Sequence, residues 1–149
     1  MHPFDIQAAL LAKHAQHVVL IHFPIALFSA GVAFDFLAHW TKQRLLAAAA
    51  YCNLLTAAFV TVPVLITGIL AWQWQLEGQR LKGILLVHLV LGCLSSLLIW
   101  VVSLLHVGAQ RQPGRLPPTY RFIVEGVAVL VVTLTGHLGG FLSGVNGPG

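Results

Sequence analysis

Charge is what this sequence has least of. Only 8% of its 149 residues are charged and four are acidic, where a soluble globular domain carries roughly 25%. A surface so poor in charge is not held in water, which excludes the soluble enzymes and binding domains. Sulfur is equally sparse. The single methionine is the first residue, so the Met-rich segments that carry soft copper ions are missing. Cys52 and Cys93 stand alone in apolar stretches, with no C-x-x-C and no C-x-x-C-H. Covalent haem attachment is thereby excluded, and the two thiols read as small core residues. The formal net charge of +4 comes from a few short clusters and calls for no nucleic-acid partner.

What is abundant is apolar: 58% of the residues are hydrophobic and the mean hydropathy is +0.87. The charges separate four long apolar segments, Val18–His39, Leu45–Trp72, Gly83–His106 and Phe122–Leu142. Each reaches the roughly 20 residues that a hydrocarbon core of about 30 Å demands of a helix. Short connections force neighbouring helices to run antiparallel. The expected fold is therefore all-α, an integral membrane four-helix bundle with up-down-up-down topology, forming one transmembrane domain over residues 1–149 without room for a second, soluble one. The first segment is too long for the h-region of a cleaved signal peptide and follows a histidine-rich stretch, so it is expected to stay on. Within that stretch Ile6, Ala9, Leu10 and Lys13 fall at helical spacing, which predicts a short interfacial helix over 3–15.

Lys and Arg in the connections set the orientation. Lys13, Arg80 and Lys82 lie on the side of the N-terminus and second connection; Lys42, Arg44, Arg111, Arg115 and Arg121 lie on the side of the first and third connections. The second side is expected in the cytoplasm of a bacterium, with both termini on the periplasmic side of the inner membrane. Along the segments, Pro24 predicts a bend in a helix that starts before about Leu20. Pro63 predicts a kink flanked by the hydroxyls of Thr56, Thr61 and Thr67. Trp72 and Trp74 read as an interfacial aromatic belt. Gly136, Gly140 and Gly144 recur every four residues, a stripe that lets a helix or a flat ligand approach closely.

The histidines carry the functional argument. His22, His88 and His137 lie four to five residues inside their segments, all about 6–8 Å below the same, periplasmic surface. Ionisable groups inside a membrane segment are costly and usually face the bundle interior, and imidazole ligates both metals and haem iron. His22 and His88, on diagonal helices, are expected to oppose one another, with His137 completing a metal site or sitting beside a haem or quinone. His14 and His17 read as headgroup residues, as do His39 and His106, although a second haem between the last two is conceivable. Asp35 reads as an interfacial partner of His39, Lys42 or Arg44.

The stretches "HFPIAL" and "GHLGG", with Asp35, the kinked second segment and His88, resemble a bacterial family of four-helix membrane proteins, the domain of unknown function numbered twenty-two thirty-one. The resemblance covers most of the chain and implies motif positions at His22, Pro24, Gly136, His137, Gly139 and Gly140. Some members of the family resemble fusions to c-type cytochromes, which implies an outward-facing redox role. The tail "FLSGVNGPG" departs from the pattern. The expectation that follows is an accessory electron-transfer subunit, b-type-cytochrome-like, rather than a stand-alone enzyme. It would bind haem b between His22, His88 and His137, with Gly136 and Gly140 against the ring, and link a c-type cytochrome or other redox subunit to quinone, within a complex or homo-oligomer in lipid. The alternatives are copper or zinc binding by the same three histidines, and a non-redox anchor subunit.

Overall fold

Pro24 interrupts the first span. Proline has no N–H to give the Leu20 carbonyl and its ring crowds that turn, and the helix breaks just upstream at Ile21, leaving α1 (Lys13–Leu20) and α2 (His22–Thr41). The break is held together locally: Ile21 N–H donates to His17 O at 3.0 Å, and the His22 ring donates Nδ1–H to Val18 O at 2.7 Å. The remaining elements of this computed structural model are α3 (Arg44–Gln75), α4 (Gly83–Gln110) and α5 (Arg121–Leu142). It describes residues 13–75, 78, 80–111 and 118–143.

Four helical runs are long and apolar enough to cross a membrane, Gln16–Thr41, Arg44–Trp74, Gly83–Gln110 and Arg121–Leu142. No strand occurs among the described residues. The protein is an all-α membrane bundle. Helices adjacent in sequence pack together and α5 closes back on α2, which puts α2 and α4 at opposite corners. The α2–α3 connection is the tightest. Lys42 takes the left-handed conformation at φ 58°, its N–H closes on Ala38 O at 2.9 Å, and Gln43 alone separates it from α3.

Of the interfacial helix expected over 3–15, residues 1–12 lie outside the described residues; residues 13–20 are helical and pack against α3. There His17 is half-buried: it donates Nδ1–H to Thr67 Oγ1 at 3.2 Å, and its Cε1 would lie 3.0 Å from a Cβ on Gly68. Pro63 is accommodated inside α3, with the hydroxyls beside it turned onto the backbone, Thr61 onto Ala58 O at 2.6 Å and Thr67 onto Pro63 O at 2.9 Å.

The core is thin. Phe28, Leu54, Ala57, Ala58, Ile99, Val102, Ala128 and Val132 form one buried cluster, and alanines on α3 together with Gly31 on α2 let the backbones come close. The remaining apolar side chains mostly face outward, as lipid permits. Cys52 and Cys93 belong to that exposed set, correcting their reading as core residues: a thiol is apolar enough to face acyl chains. The inner face is layered. Along α5 the buried residues run Arg121, Glu125, Ala128, Val132, charged at one end and apolar in the middle, and on α4 they run from Ser95 and Ser96 through Ile99, Val102 and Ser103 to His106.

Candidate functional site

At the end of the bundle that carries the first and third connections, four ionisable side chains meet inside the helices. Asp35, His106 and Arg121 are each 5% exposed and Glu125 is 1% exposed. Each is placed by the period of its helix. Asp35 continues the buried row Phe28, Gly31 and Ala38 of α2, and Arg121 and Glu125, four residues apart, open the inner face of α5. Arg121 Nε donates to Asp35 Oδ2 at 2.6 Å and Arg121 Nη2 to Asp35 Oδ1 at 3.4 Å, while its guanidinium carbon lies 4.1 Å from the centroid of Phe122. His106 Nε2 is 3.1 Å from Glu125 Oε1 and 4.0 Å from Asp35 Oδ2. Glu125 Oε2 is buried without a hydrogen-bond partner, and a buried polar atom left in that state asks for an explanation.

The charges do not cancel. Arg121 supplies one fixed positive charge against two carboxylates, and among the described residues His106 is the further base in contact. A net buried charge at this depth costs several kcal/mol, so the cluster favours holding one more positive charge. From α3 the buried residues nearest this end are Ala50 and Leu54, which contribute no charge. Asp35, His106 and Glu125 also offer ligand atoms within 4.8 Å of one another, making them the one group of three metal-competent side chains found among the described residues.

Two expectations are corrected here. Asp35 is not an interfacial partner of His39, Lys42 or Arg44; it is buried on Arg121 of α5, because its place one turn inside α2 faces the bundle. His106 is not a headgroup residue, nor is it paired with His39. It is held by Glu125, while His39 is exposed and packs edge-on against Phe122 at 5.0 Å. Arg121, counted among the connection cations, lies inside the bundle.

The three histidines expected to share a site, His22, His88 and His137, are placed separately. His22 is exposed and tied back across the helix break to Val18 O of α1. His88 is half-buried, donates Nδ1–H to Thr135 O at 3.1 Å, and rests on α5, its Cε1 3.1 Å from where a Cβ on Gly139 would stand. His137 is exposed and packs edge-on to Phe141 at 5.0 Å; two residues from both Thr135 and Gly139, it lies about 160° around α5 from the face that meets His88. The three do not form a metal-competent group. The close approach on α5 falls at Gly139, with Gly136 in ordinary contact with Ile25 at 3.5 Å. Gly140 is half-buried on the same helix; Gly144 and the rest of the tail lie outside the described residues, as does Arg115.

Arg121 and Glu125 were not singled out by the sequence reading, yet a signal existed. Two of the four acidic residues, Asp35 and Glu125, fall within apolar segments. Measured from the helix ends, Asp35, His106 and Glu125 lie about 6–9 Å below one surface, the same depth argument that grouped the other three histidines. A family model described as "Predicted membrane protein (DUF2231)" matches residues 13–147. No curated protein and no solved structure matches the chain.

Proposed function

The chain belongs to the DUF2231 family of predicted membrane proteins, and for this multi-pass member we propose a proton-handling function: one proton is bound and released at Asp35, Arg121, Glu125 and His106. The observation that carries the reading is the missing positive charge in a buried cluster where His106 and Glu125 stand 3.1 Å apart and Glu125 Oε2 has no hydrogen-bond partner. With the proton on His106, an imidazolium faces the Glu125 carboxylate. With the proton on Glu125, the acid donates to a neutral imidazole. Either way the four groups sum to zero, and loss of the proton to water leaves −1.

A proton suits the cluster better than copper or zinc. One charge is missing, not two, and both oxygens of Asp35 are already engaged by Arg121. The water exchanging with the site lies on the side of the first and third connections. That side is the cytoplasmic face of an inner membrane on the Lys/Arg count, four to three with Arg121 set aside; a cysteine replacing Lys42 in a background lacking Cys52 and Cys93 must then label from the cytoplasm alone.

The test is imidazole and carboxyl NMR of the protein in lipid nanodiscs, with His106 assigned by His106→Gln and Glu125 by Glu125→Gln. One proton is expected to leave the His106 and Glu125 pair as the pH is raised, and Glu125→Gln is expected to change the His106 response. If neither group changes protonation at any pH at which the protein stays folded, the cluster is a fixed structural lock and the reading is wrong.

One observation favours the electron-transfer reading. His88 gives Nδ1–H to a backbone carbonyl, which fixes the tautomer whose Nε2 offers a lone pair to a metal. His22, His88 and His137 do not come together as a ligand group among the described residues: His22 is exposed and His137 lies about 160° around α5 from the face that meets His88. A Soret band that shifts on reduction, in protein purified in mild detergent and lost in His88→Ala, would restore that reading.

A further inference from the structure

We infer that the inner face of α4 is a proton path across the membrane, closed by an apolar gate between two polar half-sites. The inference rests on the proposal that the His106 and Glu125 pair binds a proton. His88, Ser95, Ser96, Ser103 and His106 lie within an arc of about 120° on α4. His88 and His106 are 18 residues apart, a rise of about 27 Å, close to the thickness of a hydrocarbon core. Every polar side chain of that row faces the bundle or a neighbouring helix.

The half-site near the second connection joins α4 to α5. His88 Nδ1–H donates to Thr135 O at 3.1 Å. The Thr135 hydroxyl donates to Val131 O at 2.7 Å, so Ser95 is the donor in its 2.8 Å bond with Thr135 Oγ1. His88 Nε2 has no hydrogen-bond partner among the described residues, which leaves a lone pair to take a proton from that side. The opposite half-site is the charged cluster, extended inward by Ser103, whose hydroxyl donates to Leu54 O at 2.7 Å and shares Ile99 O at 2.8 Å.

Serines in membrane helices often do no more than bond back to their own helix, as Ser96 does to Gly92 O. What separates this row from that ordinary case is a histidine at each end, each bonded across to α5. Between Ser96 and Ser103, a rise of about 10 Å, the interior holds Ile99, Val102, Ala128 and Val132 against Phe28 and Leu54, all at most 4% exposed. No hydrogen-bonded chain crosses such a layer without water, so the path is shut there. The charged and titratable groups facing it from the neighbouring helices are Asp35, Arg121 and Glu125.

Liposomes holding the full protein, an internal pH dye and a valinomycin-clamped potassium gradient read the flux. Wild type is expected close to protein-free vesicles. Val102→Asn, which wets the gate, is expected to raise proton flux at least tenfold. Leu130→Asn, a comparable polar change on a residue 72% exposed, is expected to leave it unchanged. Adding His106→Ala or His88→Ala to Val102→Asn is expected to return flux to the wild-type level. Should Val102→Asn not fold, Ala128→Ser takes its place at the same layer. The path is overturned if Leu130→Asn leaks equally, if the gate variant still conducts without its histidines, or if a folded gate variant conducts nothing. In that last case a His106 titration retained by NMR leaves the proton site standing, and its loss removes both proposals.

Discussion

Arg121→Ala is expected to lower the stability of the bundle by about 3–5 kcal/mol, the usual cost of removing one partner of a buried ion pair. The substitution does more than delete a bond of 2.6 Å. Asp35 and Glu125 then share the interior with no fixed cation, and His106 alone can answer them. Asp35→Ala is expected to be nearly as damaging for the opposite reason, since it strands a guanidinium at 5% exposure. The double variant Asp35→Leu with Arg121→Met should recover most of the loss, because an apolar pair of similar volume carries no desolvation cost. Unfolding in mixed micelles with increasing SDS, followed by intrinsic tryptophan fluorescence, measures all four proteins. Wild-type stability for Arg121→Ala would mean that the guanidinium reaches water and does not neutralise a buried Asp35.

Gly31→Ile should be the most damaging apolar change. A Cβ at Gly31 would stand 2.8 Å from Leu54 Cγ, 2.9 Å from Leu54 Cδ2 and 3.2 Å from Leu54 N, distances that force something to move. Leu54 is fully buried and one of the three contacts is backbone, so relief requires α2 and α3 to separate, although a short connection about 15 Å away along both helices ties them together. Overpacking of this kind costs about 1–3 kcal/mol, and the longer isoleucine puts the expectation at the upper end. Leu54→Ala should rescue Gly31→Ile in part by vacating the same space. Gly126→Ala, where a Cβ meets nothing within 4 Å, should be neutral or stabilising through helix propensity. The same micelle titration decides it: a Gly31→Ile protein as stable as wild type, or one not helped by Leu54→Ala, refutes the close approach of α2 and α3.

The two predictions sit at opposite ends of what composition reveals. Bundle, spans and topology follow from four apolar runs and short connections, because in lipid a backbone satisfied within its own helix is the one solution open to such a run. The break in the first span follows from Pro24 alone, for an equally local reason: the missing N–H acts within one turn. Gly31 has no such local signature. It resembles Gly136 or Gly140 in sequence, and its tight contact with Leu54 arises from how closely two helices approach.

Depth in the membrane was likewise legible and rotation was not. Counting residues from a segment end locates His22, His88 and His137 near one surface, and Asp35, His106 and Glu125 near the other, since rise per residue is constant. Which of them face inward depends on the angle at which each helix meets its neighbours. A helix apolar all round, as these are, carries almost no amphipathic signal to set that angle. The sequence by itself therefore determined an all-α membrane bundle and how far His22, His88, His137, Asp35, His106 and Glu125 lie from the ends of their segments. Only the tertiary structure decided that His22 and His137 turn outward while Asp35, Arg121, Glu125 and His106 meet, because the rotation of each helix is set by close packing and by the cost of leaving a buried charge unpaired, and both are properties of helices in contact.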